Sequence, residues 1–281
     1  MPKSIYKENA MIPLRFGLFW SGAKLSYLRY LTFATLRKHH PDAEIELHVS
    51  RSWRNTGFEW REEKQDFQEN FSGPCWLDKL PMFGVKIVES HIFPDFPPNF
   101  QSDLFRWWWL ADKGGFYLDT DQIVLRSFEG LPLDSDFICS VYPAQSCGIY
   151  APVGVIGAKE GSKTVRYIKD HILDYYDPDV YNSIGPFMFR DVFEKQSSKE
   201  VVFNAPSFYF YPVKESYLIS EIYNGNLDLR KGSHSGNKEI YSCHWFGGHP
   251  LSQDFNATYC PGVAKHGHDS ISKYLRSVSI V

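Results

Sequence analysis

The chain opens strand, helix, strand, and this order restricts its architecture more than any other feature of the sequence. Residues 12–20 (IPLRFGLFW) form an apolar run ended by Ser21-Gly22. Residues 24–40 carry Leu25, Leu28, Leu31 and Leu36 at near-helical spacing and stop at Pro41-Asp42. Residues 44–49 (EIELHV) alternate polar and apolar side chains, the pattern of a strand with one buried face. A strand–helix–strand opening is typical of α/β domains with a largely parallel sheet.

The rest of the chain continues that theme. A strand is expected at 85–89, after which Pro94, Pro97 and Pro98 impose an extended loop. The next helix is predicted to open with Ser102 as N-cap and to close at Gly114-Gly115. Strands are predicted at 116–118, 123–125, 137–142 and 153–156, and a helix at 161–176. Beyond residue 200 the pattern is loop-rich, with strand candidates at 201–203 and 207–211. Residues 51–82, charged and carrying Trp53, Trp60 and Trp76, read as a short helix and an irregular lobe. No linker, internal repeat or low-complexity tract divides the 281 residues, of which 43% are hydrophobic. The expectation is a single α/β domain over 1–281 with a central mixed, mostly parallel sheet and helices on both faces.

A formal net charge of −3 argues against a broad nucleic-acid footprint. Cys75, Cys139, Cys147, Cys243 and Cys260 show no paired spacing, which suits a reducing compartment. The first twenty residues lack the apolar run of a signal peptide or anchor, and Trp107-Trp108-Trp109-Leu110 is too short to span a bilayer. The expected location is cytoplasmic, with no integral membrane segment. Nothing in the sequence speaks to oligomeric state.

The chemistry is concentrated in residues 102–121. Asp103 and Arg106 lie three apart and share a helix face near its N-terminal turn. Asp119 and Asp121 lie two apart, so on extended backbone both carboxylates point the same way and suit a hard divalent cation with open positions for phosphate oxygens. The triplet alone is weak, since Asp134-Ser135-Asp136 and Asp177-Pro178-Asp179 repeat it in loop and turn contexts. Only Asp119 and Asp121 follow an S-D-x-x-R helix and a G-G-x-Y turn.

That segment resembles the DXD sugar-binding region of family 32 glycosyltransferases, the group of initiating mannosyltransferases, α1,4-galactosyltransferases and, more remotely, the catalytic domains of glucosylating toxins. The shared pattern S-D-x-x-R, apolar run, G-G-x-Y-x-D-x-D is met at Ser102, Asp103, Arg106, Gly114, Gly115, Tyr117, Asp119 and Asp121. Weaker similarity extends to Trp20-Ser21-Gly22, to the turn Ser183-Ile184-Gly185-Pro186 on the acceptor side, and to 241–248 (YSCHWFGG). The family's usual Asn before its middle strand is absent around Ala151–Gly154, and its second Trp is absent after His244-Trp245.

The resemblance implies a GT-A-like fold, with about residues 1–130 binding a nucleotide-sugar and about residues 131–281 facing the acceptor. It implies that Asp119, Asp121 and His244 hold Mn²⁺, with Mg²⁺ as the other admitted ion, and that Trp20, Asp103, Arg106, Tyr117, Asp119 and Asp121 bind the donor. Asp103, Arg106 and Asp121 would carry catalysis. The implied reaction is sugar transfer from a nucleotide-sugar, UDP-linked before GDP-linked, to a hydroxyl of a glycan or other acceptor, with retention of configuration. Tyr117 is equally readable as a core residue, and Trp20 as plain strand core. His249, His266 and His268 are other candidates for His244's place, while Cys260, His266 and His268 lack zinc-site spacing. Two rival classes are a non-catalytic sugar-binding module on the same fold and a glycoside hydrolase, which would set two carboxylates across a cleft.

Overall fold

The computed structural model describes residues 11–22, 24–50, 73–144, 148–196, 200–213, 219–231 and 239–281. Trp53, Trp60 and Cys147 lie outside these. In chain order the elements are β1 (Arg15–Ser21), α1 (Tyr27–His39), β2 (Glu44–Ser50), β3 (Val85–Ser90), α2 (Pro98–Lys113), β4 (Gly115–Leu118) and β5 (Gln122–Val124). They continue with β6 (Phe137–Cys139), β7 (Tyr142–Ala144), β8 (Gly148–Tyr150), β9 (Val155–Ala158), α3 (Lys163–His171) and α4 (Met188–Gln196). The chain ends with β10 (Val202–Asn204), α5 (Ile219–Tyr223), β11 (Ser242–His244), α6 (Pro250–Thr258), α7 (Pro261–His266) and α8 (Ser270–Ser277).

Seven strands form one sheet in the order β10-β6-β9-β4-β1-β2-β3. Its β1–β2, β2–β3, β1–β4 and β6–β10 pairs are parallel, whereas β9 runs antiparallel to both β4 and β6. Side chains alternate across the strands into two cores. Phe16, Leu18, Phe116 and Leu118 pack on the α1 side, while Phe19, Tyr117 and Ile156 pack on the α2, α3 and α4 side. A central mixed, mostly parallel sheet with helices on both faces is the GT-A-like arrangement expected. Among the described residues, no helix is long and apolar enough to cross a membrane.

Several local expectations are corrected. β2 is covered on both faces: Glu46 is buried and accepts from Trp109 Nε1 at 3.1 Å and Lys86 Nζ at 2.8 Å. Helix α2 starts a turn before Ser102, because Pro98 sits at its first position, where no N–H is needed and φ is preset. Ser102 therefore caps nothing and meets the Tyr117 hydroxyl at 2.8 Å. The helix does end at Gly114-Gly115, with φ of 63° and 100°, and added β-carbons there would stand 2.5 Å from Glu160 N and 2.6 Å from Arg15 O. Residues 161–176 divide into α3 and a 3₁₀ turn, and Ser207–Tyr209 is a 3₁₀ turn where a strand was expected. Beyond residue 200, read as loop-rich, the described residues hold four short helices, α5 to α8; Asp269 caps α8 through Ser272 N at 2.8 Å.

Candidate functional site

β4 ends at Leu118, and the chain turns through Asp119, Thr120 and Asp121 before β5 joins a second, two-stranded sheet with β11. The triplet is thus a turn between sheets, not extended strand. The turn is tied down on all sides. Asp119 N donates to Gly154 O at 2.8 Å, Thr32 Oγ1 to Thr120 O at 2.6 Å, Arg29 to Thr120 Oγ1 at 2.9 Å, and Trp245 N to Asp121 O at 3.0 Å. Antiparallel register pairs His244 with Gln122 and so delivers the imidazole beside Asp121.

Each carboxylate gives one oxygen to the protein and presents the other to His244. Asp119 Oδ1 accepts from the Tyr117 hydroxyl at 2.7 Å and from Arg106 at 3.2 Å, while Oδ2 lies 3.8 Å from His244 Nε2. Asp121 Oδ2 accepts from Gly247 N at 2.7 Å, while Oδ1 lies 3.0 Å from His244 Nε2. Gly247 permits this approach, since a β-carbon there would stand 2.7 Å from the Arg29 guanidinium and 3.2 Å from Asp121 Oδ2.

Ligand atoms of Asp119, Asp121 and His244 lie within 4.8 Å of one another, the one such cluster among the described residues. Two carboxylate oxygens, each on a carboxylate whose other oxygen is held by the protein, and an imidazole nitrogen fit a divalent cation. The electrostatics agree. Burial alone would raise both carboxyls, but Arg106 and His244 pull Asp119 below its ordinary value, and His244 with Arg29 pulls Asp121 well below it. Burial would lower His244, yet the Asp121 charge and hydrogen bonds to both carboxylates raise it to about 9. The negative field that favours a proton on His244 equally favours a cation.

Asp103 and Arg106 complete the α2 side. Their side chains pair directly, with Arg106 only 3% exposed and its guanidinium 4.4 Å from the centre of the Tyr117 ring. Burial would lower Arg106, but Tyr117, Asp103 and Asp119 hold it above its ordinary value, so it stays charged. Burial raises Asp103 to about 6 against the opposing pull of Arg106.

These groups share a cavity of about 580 Å³. Asp103, Arg106, Asp119, Asp121 and His244 all line it, as do Pro186 from the expected Gly-Pro turn and the loop Phe246–Pro250. Tyr117 is fully buried, off the cavity wall, and its hydroxyl meets three residues that line it, Ser102, Arg106 and Asp119. Trp20 is buried under Arg29, ring centre and guanidinium 4.6 Å apart, and is not on the wall. His249 lines the cavity but accepts from Leu251 N through Nδ1, whereas His266 and His268 are exposed and Cys260 forms no cluster with them. The other acid pairs are structural. Asp136 accepts from Lys159 and Val201 N, and Asp177 closes its turn on Asp179 N.

Sequence reasoning missed Arg29, Tyr211, Phe246 and Gly247, all of which line the cavity. Gly247, three residues after His244, lay inside a segment already singled out; Arg29 sits on an unremarkable helix turn with no signal of its own.

Residues 29–138 match the family model described as the glycosyltransferase sugar-binding region containing the DXD motif, and this stretch holds Asp103, Arg106, Asp119 and Asp121. Among solved structures, the PaToxG glycosyltransferase is similar at 17% identity and a TM-score of 0.46, over 66% of this chain and 70% of that one. The glycosyltransferase GlyE of Streptococcus pneumoniae TIGR4 is similar at 14% identity and 0.49, over 95% of this chain and 64% of that one. The galactosyltransferase LgtC, with donor and acceptor sugar analogues, is similar at 16% identity and 0.42, over 95% of each. No curated protein matches the chain in sequence.

Proposed function

We propose that the protein is a metal-dependent glycosyltransferase that moves a sugar from a nucleotide-sugar, UDP-linked in preference to GDP-linked, to a hydroxyl of a glycan or similar acceptor with retention of configuration. The observation that carries this reading is the meeting of the DXD carboxylates, Asp119 and Asp121, with His244 on the same cavity wall as the Asp103–Arg106 pair.

Asp119, Asp121 and His244 would hold the cation, with Mn²⁺ preferred. When bound, it neutralises the charge that grows on a departing diphosphate, so no protein acid has to protonate the leaving group. Asp103 and Arg106 then bind hydroxyls of the transferred sugar, and Arg106 also faces developing negative charge with a guanidinium already fixed in place. Tyr117 acts through Asp119, whose Oδ1 it holds. The hydrolase reading finds no support in this arrangement, because Asp119 and Asp121 stand on one side of the cavity and Asp103 is bound to Arg106.

The test is nucleotide release from a panel of UDP- and GDP-sugars by the purified protein, with Mn²⁺ and then with EDTA, beside Asp121→Ala. Metal-dependent release from one donor, lost in the variant, is expected. Metal-dependent binding without release, even with glycan acceptors present, would point to a binding module instead.

A further inference from the structure

A histidine that ligates a metal through one ring nitrogen ordinarily donates its other N–H to a carboxylate or carbonyl, which fixes the plane of the ring. His244 departs from that pattern. Its Nε2 faces both carboxylates, but its Nδ1 is buried and meets no hydrogen-bond partner among the described residues. The ring is surrounded by aromatics instead. Phe246 meets it edge-on, with centroids 4.4 Å apart and planes at 87°, and Tyr211 lies 5.5 Å away at 57°. Tyr211 is itself fixed, since its hydroxyl accepts from Val155 N at 3.1 Å.

Phe246 reaches this position with a φ of 51°, a left-handed conformation unfavourable for a bulky side chain. The chain on either side over-determines it. Trp245 N and Gly247 N donate to the backbone and side-chain oxygens of Asp121 at 3.0 and 2.7 Å. Trp245 O accepts from the Tyr223 hydroxyl at 3.1 Å and from Ser252 Oγ at 2.7 Å, and Phe246 O accepts from His249 N at 2.8 Å. Strain of this kind persists where the surroundings impose it, and it collects at functional sites.

We propose that Phe246 is a positioning residue for the cation site: its ring, held by the left-handed backbone, sets the plane of the His244 imidazole in place of a hydrogen bond at Nδ1. The proposal rests on the metal-binding reading of Asp119, Asp121 and His244. It places Nε2 at the point the two carboxylates share, and it makes the loop's backbone conformation part of the affinity for a divalent cation.

The experiment titrates Mn²⁺ by calorimetry, without any nucleotide-sugar, into the unaltered protein, Phe246→Tyr, Phe246→Asn and Asp121→Asn. Thermal unfolding of each metal-free protein is recorded alongside. Phe246→Asn removes the ring but tolerates a positive φ, so Mn²⁺ affinity is expected to fall about tenfold or more with little change in the unfolding midpoint. Phe246→Tyr, which keeps the ring, is expected to bind within about threefold of the unaltered protein by the same argument. Unchanged affinity in Phe246→Asn overturns the proposal while leaving the metal site standing. A fall in affinity matched by a fall in midpoint in both Phe246 variants overturns it too, by assigning the ring a merely structural role. No Mn²⁺ binding by the unaltered protein, or none lost in Asp121→Asn, sinks the metal-site reading itself.

Discussion

Asp119 and Asp121 are two residues apart, yet different regions of the chain hold them. Asp119 rests on its own neighbourhood, with Tyr117 two positions before it and Arg106 on the preceding helix. Asp121 is answered from 126 positions away by Gly247, and Thr120 from 91 positions away by Arg29. The first support is complete once α2 packs on β4. Of the second, the Arg29 bond needs α1 seated on the turn, and the Gly247 bond exists only when β11 has paired with β5 and brought the loop after His244 across it. Local support fits inside one sequence motif, whereas remote support depends on closing the whole fold.

Breaking the local side should have the largest effect. Arg106→Met leaves the buried Asp103 without its counter-charge and takes one of two positive partners from the partly buried Asp119, at a cost of about 3–5 kcal/mol in chemical denaturation. Donor turnover should fall by about 10²-fold or more, as when a fixed charge-stabilising donor is lost. Full stability with full turnover would mean that α2 does not support Asp119.

Acid should weaken the other side first. His40, at the end of α1, is buried against Phe16 and Phe128, and its Nε2 accepts from Phe128 N at 3.3 Å, just beyond β5. Burial lowers its pKa from 6.5 to about 4, so the unfolded chain binds the proton more readily. The His40 contribution to stability is therefore full above pH 6.5 and is lost as the pH falls toward 4, by up to about 3 kcal/mol. His39 and His48, also lowered by burial, act in the same direction, whereas Asp103, raised by burial to about 6, adds stability over the same fall in pH. The His40 contribution is thus the difference between the curves of the unaltered protein and His40→Gln. Denaturation curves between pH 7 and 4.5 measure this above the range of Glu46, which its partners lower to about 2 against the effect of burial.

Gly247→Ala strikes the remote support directly. Its β-carbon meets the Arg29 guanidinium and Asp121, so a cost of about 1–3 kcal/mol is expected. Mn²⁺ affinity, read by calorimetry, should fall with it. Tyr117→Phe removes one hydrogen bond from Asp119 and leaves Arg106 in place, so its cost should be smallest, about 1 kcal/mol, with turnover reduced several-fold. A larger loss from Tyr117→Phe than from Gly247→Ala would reverse the order of the two supports.

The same contrast explains what was legible in the sequence. The opening strand–helix–strand, the Gly114-Gly115 stop and the pairing of Asp103 with Arg106 follow from spacing and local chemistry, and all are present. His244 was reached through the resemblance of residues 241–248, not through any local pattern. Arg29 gave no sign, because its role arises from contacts across the fold, whereas Phe246 lay inside 241–248 but its left-handed backbone is not written in the residue type. The start of α2 was misplaced because Ser102 carries a capping residue's chemistry, while Pro98 already met the geometric need one turn earlier. Trp20, readable from the sequence as strand core or as a donor contact, is core, with the Arg29 guanidinium against its ring and that of Trp245.

The most direct test of the central claim is anomalous diffraction at the manganese edge from crystals grown with Mn²⁺ and UDP. The account predicts one strong peak between Asp119, Asp121 and His244, absent in Asp121→Asn. UDP seated in the cavity with no manganese at those three residues, or manganese bound elsewhere, would contradict it.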